Sequence, residues 1–133
     1  MPTIERFEEL ECWKRGRILR QTVYRYTRRN QFLADAALLN QIRRAAQSVT
    51  SNIAEGFERE GNREFIQFLS QSKGSVGEVK DQLYTALDEH YISQDEFDAA
   101  YALADETTRI VGGLMGYLRN ASSAGSKFKH PSA

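Results

Sequence analysis

Six cations in the first third of this chain are its best equipped groups for chemistry: Lys14, Arg17, Arg25, Arg28, Arg43 and Arg44. Arginine presents a planar fork of donors that matches phosphate oxygens, so a stripe of such residues on helices suits a nucleic-acid backbone, RNA or DNA. From Lys14 to Arg44 nine basic residues stand against one acid, Asp35, while residues 62–133 hold seven basic and ten acidic residues. The chain as a whole is neutral. Such asymmetry points to an anionic partner, or to association in which the arginines of one copy meet acidic helices of another. The same stripe also reads as a solvated helix face with no ligand.

A second polar line runs through Gln41, Ser48, Asn52 and Glu55, with Arg44 at its edge, at helical spacing beside an apolar seam. Polar side chains on the shoulder of a core face bond a neighbouring helix and fix its register, so these five are expected to form a structural network. Catalysis is not expected from them, because Ser48 with Glu55 lacks a histidine base. His90 and His130 are the only histidines, and neither follows a glutamate by three residues, as a di-metal site in a helical bundle requires. One cysteine and two distant histidines cannot close a tetrahedral zinc site. Phosphate-loop, nucleophile-elbow and dinucleotide fingerprints are missing. The expectation is a protein that is not an enzyme and holds no cofactor or metal.

The elements that must position these residues are helices. At 133 residues with 41% hydrophobic content and two prolines, the chain reads as one all-α domain. It holds no apolar run near the roughly 18 residues of a membrane span, and its start lacks the apolar core of a signal peptide. A lone cysteine, Cys12, fits a reducing cytoplasm and a small buried residue. The first helix is expected over about 7–29, with Cys12, Gly16, Leu19, Val23 and Tyr26 as its seam. Asn30 to Asp35 is expected as a connection whose Phe32 and Leu33 tuck onto the bundle end, and Asp35 as the N-cap of the next helix. That second helix, about 36–57, buries Leu38, Ile42, Ala45, Val49 and Ile53. A third, about 62–90, is expected to start at Asn62 as N-cap, and its small central stretch Ser70 to Gly77 to admit a neighbouring helix closely. The fourth, about 94–119, begins at the capping box Ser93-x-x-Glu96.

Two apolar seams share that last helix. Phe97, Tyr101, Ala104, Thr108, Val111, Met115 and Leu118 form one, and Ala100, Leu103, Thr107, Ile110, Leu114 and Tyr117 the other. One subunit needs a single stripe, so Leu103, Ile110, Gly112, Leu114, Gly116 and Tyr117 are expected to meet another copy. Residues 1–120 should form an up-down-up-down antiparallel four-helix bundle, and 121–133 a disordered tail rich in Ser, Gly and Lys.

Phe7-x-x-Leu10-x-x-Trp13-Lys14, Val23-Tyr24, Gln41 to Ala46 with Ser48-Val49, the run Asn52-Ile53-Ala54-Glu55-Gly56, Glu64-Phe65-x-x-Phe68-Leu69 and Gly74-Ser75-x-x-Glu78 together carry a recognisable pattern. Over about Phe7 to Leu118 the chain resembles the bacterial four-helix-bundle family first noted as reading frames within intervening sequences of 23S ribosomal RNA genes. It is also similar to the accessory variability protein of diversity-generating retroelements. The resemblance implies a ring-shaped homopentamer without enzymatic activity. For the retroelement relatives it implies binding of nucleic acid and of a reverse transcriptase through basic surfaces. A self-assembling or purely protein-binding module is the other reading.

Overall fold

A computed structural model of the protein describes residues 3–123. A single 3-10 turn, Phe7–Glu9, precedes helix α1, Glu11–Thr27. Then come a one-turn helix α2, Asn30–Ala34, and the long helices α3, Ala36–Glu58, α4, Asn62–Asp88, and α5, Gln94–Ser123. The four long helices alternate in direction, and α1 packs between α3 and α5 while α4 packs between the same two on the far side. This is the expected all-α antiparallel bundle.

Its core is the set of seams. Leu19, Val23, Ile42, Val49, Ile53, Phe65, Leu69, Val76, Val79, Leu83, Val111 and Leu118 are all buried. Burial of that many apolar side chains, each contributing about 1.5–3 kcal/mol, is what overcomes the chain entropy of ordering four helices. Two serines sit inside the α3–α4 seam and fix its register: Ser72 Oγ donates to the Val49 carbonyl at 2.7 Å, and Ser75 Oγ to Ser48 Oγ at 2.9 Å. Cys12 is buried too, and desolvation pushes its thiol up to about 12, so the thiolate is not populated at neutral pH.

Helix ends governed by local side-chain chemistry lie where they were expected. Asp35 caps α3 by accepting from the Leu38 amide at 3.1 Å. Ser93 and Glu96 close the capping box of α5 reciprocally, Glu96 N–H to Ser93 Oγ at 3.2 Å and Ser93 N–H to Glu96 Oε1 at 2.9 Å. Others moved. The first helix does not start at Phe7: extended backbone at Leu10 breaks it, buries the Leu10 side chain and sets Phe7 edge-on against Trp13, 5.3 Å between ring centroids. Asn62 is not an N-cap but the first helical residue of α4, itself buried, and Gly61 occupies the cap position. α4 stops at Asp88 rather than at 90. His90 takes φ 61°, the Tyr91 amide reaches back to the Ala86 carbonyl and the His90 amide to that of Leu87, which is a Schellman closure with histidine where glycine is usual. The connection 30–35 is itself helical, and of its two apolar residues Phe32 is buried whereas Leu33 is exposed. α5 runs on to Ser123, past its expected end, and the rest of the expected disordered tail, 124–133, lies outside the described residues.

At the end where α1 stops and α5 starts, the Arg29 guanidinium clamps the Glu96 carboxylate and donates to the Tyr91 carbonyl, while the Tyr26 hydroxyl donates to the Glu96 carbonyl. The hydrogen bonds from Arg29, with the Ser93 amide, hold the Glu96 carboxyl at about 2 against an ordinary 4.5. A carboxyl held below its unfolded value stabilises the fold fully above about 4.5, and that contribution is lost as pH falls toward about 2. Denaturant midpoints of the native protein and of Glu96→Gln should therefore converge as pH falls through that window. A gap between them that stays constant down to pH 2 contradicts this role.

Candidate nucleic-acid interface

Between α1 and α3 lies an open groove of about 820 Å³ lined by Arg20, Gln21, Tyr24, Arg25, Arg28, Gln47 and Ser51. Positions 20, 24 and 28 succeed one another at the i, i+4 spacing that stacks side chains along one helix face. Residues 21, 25 and 28 form the adjoining row. From α3, Gln47 and Ser51 supply the opposite wall at the same spacing. Three guanidiniums thus share one channel, and none of its lining residues is an acid.

The groove is held in shape by its own polar contacts. Arg20 Nη1 donates to Thr50 Oγ1 across the helix interface at 2.8 Å, which leaves its remaining N–H groups for a ligand. The Gln47 amide donates to the Tyr24 hydroxyl. Arg43 donates through Nε to Thr27 Oγ1 at 2.8 Å and lays its guanidinium 4.6 Å from the Tyr24 ring centroid. Arg25 lies over the Tyr26 ring at 5.7 Å.

The six expected phosphate-contacting residues are therefore not one surface. Arg25 and Arg28 line the groove. Lys14 and Arg17 continue along α1 toward its N-terminus, both exposed, Lys14 3.7 Å from Glu11 and Arg17 over the Trp13 ring at 5.7 Å. Arg43 is half-buried behind Tyr24 and supports the groove without lining it. Arg44 stands on the crest of α3 and borders a different pocket of about 390 Å³ toward α4, with Gln41, Ala45, Ser48, Glu78 and Gln82. Arg20, Tyr24 and Gln47 were not expected at the site. The i, i+4 succession of 20, 24 and 28 carried the signal for the first two.

The expected polar network is smaller than the sequence suggested. Asn52 Nδ2 donates to both the carbonyl and the Oγ of Ser48, each at 2.9 Å, and Ser75 of α4 joins them. Glu55 is exposed and pairs with Arg59 at 2.6 Å, one turn on along its own helix, so it takes no part. Gln41 and Arg44 line the neighbouring pocket with Ser48 instead of bonding to it.

On the opposite flank of α1, Ile110, Leu114 and Tyr117 line an apolar cleft of about 300 Å³ with Ile4, Leu10 and Cys12, bordered by Glu9 and Glu11. Leu103, Ile110 and Leu114 are half-buried and Tyr117 is 39% exposed within one subunit. Ala100 and Thr107 of the same seam are buried, so the two seams of α5 merge in its first half. Gly112 and Gly116 have no neighbour near the place of a Cβ, so close approach of a helix of the same subunit does not explain them.

Among the described residues no helix is long and apolar enough to cross a membrane, and no cluster of His, Cys, Asp and Glu could hold a metal ion. The sequence model of one protein family, described as 23S rRNA-intervening sequence protein, matches residues 8–113. Among curated proteins none matches the chain.

Proposed function

The chain belongs to the 23S rRNA-intervening sequence protein family, and from that premise we propose that it is a non-catalytic cytoplasmic scaffold that assembles with copies of itself and takes RNA on the α1–α3 groove. The observation that carries this reading is the convergence of Arg20, Arg25 and Arg28 on one open channel without an acid in its lining. Phosphates on a strand lying there would displace counterions and accept from guanidinium forks, with no reacting group near. The apolar cleft of α5 gives the assembly its surface, with Ile110, Leu114 and Tyr117 meeting another subunit. A ring of five, five times the 15.2 kDa subunit, is the closure the family resemblance implies. A reverse transcriptase, as in the retroelement relatives, is the nucleoprotein partner the same resemblance implies.

Titration of a labelled RNA by fluorescence polarisation tests the reading. Affinity should fall as salt rises, and reversing Arg20, Arg25 and Arg28 together to Glu should weaken binding at least about tenfold and flatten the salt dependence. Circular dichroism should stay that of the native protein, since none of the three is in the core. An RNA that fails to bind at low salt with folded protein in large excess overturns it. The charge asymmetry supports a second reading, in which these arginines pair with α4 and α5 of a neighbouring subunit. In that case Arg25→Glu with Arg28→Glu lowers the oligomer mass in light scattering, and an unchanged mass sets it aside.

A further inference from the structure

The position of Tyr24 asks for a more specific ligand than a generic polyanion. Its ring lines the groove, yet the cation nearest its face, Arg43, is not among the groove's lining residues. One side of the ring is thus already covered, by a guanidinium that is itself tied to Thr27 Oγ1. The hydroxyl is held by the Gln47 amide. The remaining surface of a ring fixed at two points is presented to a channel carrying three arginines. We propose that this groove takes a single-stranded polynucleotide, with an unpaired base stacked on Tyr24 and the flanking phosphates on Arg20, Arg25 and Arg28.

Three physical reasons favour a single strand over a duplex, granted the RNA-binding reading on which this rests. A base offers its face only when it is unpaired and unstacked, whereas a duplex offers the groove its phosphates and leaves Tyr24 idle. Stacking on an aromatic ring is largely indifferent to sequence, and a ring already immobilised by Arg43 and Gln47 loses little freedom when a base arrives. The channel is also short. Arg20 and Arg28 are eight residues apart, about 12 Å along α1, which fits a few nucleotides of one strand. Gln21, Ser51 and the side-chain amide oxygen of Gln47 then stand where base edges pass, as donors and acceptors able to adapt to more than one base.

Polarisation titrations with a single-stranded RNA and with a fully paired duplex of the same sequence, at one low salt concentration, separate the possibilities. The single strand should bind more tightly to the native protein. Tyr24→Leu should weaken the single strand about tenfold more than the duplex, and Tyr24→Phe, which keeps the ring, should preserve the native preference for the single strand. A 2-aminopurine placed in the strand should lose fluorescence on binding to the native protein and to Tyr24→Phe, but not to Tyr24→Leu. Merely structural damage by the leucine would weaken both ligands equally and would show in the thermal melt. Equal binding of strand and duplex, with Tyr24→Leu weakening neither, overturns the stacked base while leaving RNA binding in place. If neither ligand binds, both readings fall.

Discussion

Phe32→Ala is expected to destabilise the protein by about 3–5 kcal/mol, the range for emptying a fully enclosed aromatic site, whereas Leu33→Ala should stay within about 0.5 kcal/mol. The two residues are adjacent in sequence and equally apolar. Only Phe32, at 1% exposure, is enclosed; Leu33 is 45% exposed. The Phe32 ring lies 5.2 Å from that of Tyr91, whose hydroxyl donates to Asp35, the residue that caps α3. Removing the ring thus leaves a cavity and loosens the tyrosine that steadies the α3 cap. Because total stability in domains of this size is of order 5–15 kcal/mol, the loss is large enough to read directly from urea unfolding curves. Equal losses for the two variants would mean that the one-turn helix α2 does not plug the bundle end.

That pair also marks where sequence periodicity stops being informative. The seams of the four long helices could be read because burial against a neighbour imposes steps of three and four over many turns, and the wrong face would expose a row of aliphatic side chains. Asp35 and the Ser93–Glu96 box could be read because a cap is chemistry between residues a few positions apart. The break at Leu10, the place of Asn62 inside its helix and the exposure of Leu33 could not, because they depend on partners contributed, or not contributed, by other parts of the fold. The candidate site divides the same way. Arg25 and Arg28 share a helix face, and that face survives folding. Arg43 leaves it, because α3 crosses α1 at a register that seats its guanidinium between Thr27 and Tyr24. No spacing within α3 encodes that seat.

Glycines inside helices give the second large contrast. Gly56→Val is expected to cost about 3 kcal/mol, and Gly74→Ala to stabilise by about 0.5–1 kcal/mol. A Cβ at Gly56 would stand 2.6 Å from the Phe68 Cβ and 3.0 Å from the Phe65 ring. Neither can yield easily: the Phe68 Cβ is tied to the α4 backbone, and the Phe65 ring is packed edge-on against Phe57. The α3–α4 turn would have to open to make room. Valine recovers only part of glycine's helix-propensity deficit, so little offsets the strain. At Gly74 no atom lies near the place of a Cβ, and the residue is exposed on α4. Close packing within the subunit, the explanation its small neighbours suggested, therefore does not apply there, and alanine should gain its usual helix preference. Thermal or urea unfolding of the two variants at a protein concentration that dissociates oligomers decides the matter. Should Gly74→Ala prove destabilising only where the protein is assembled, that exposed small stretch of α4 faces a second subunit. Should it destabilise the isolated subunit as well, the open surface assigned to it is wrong.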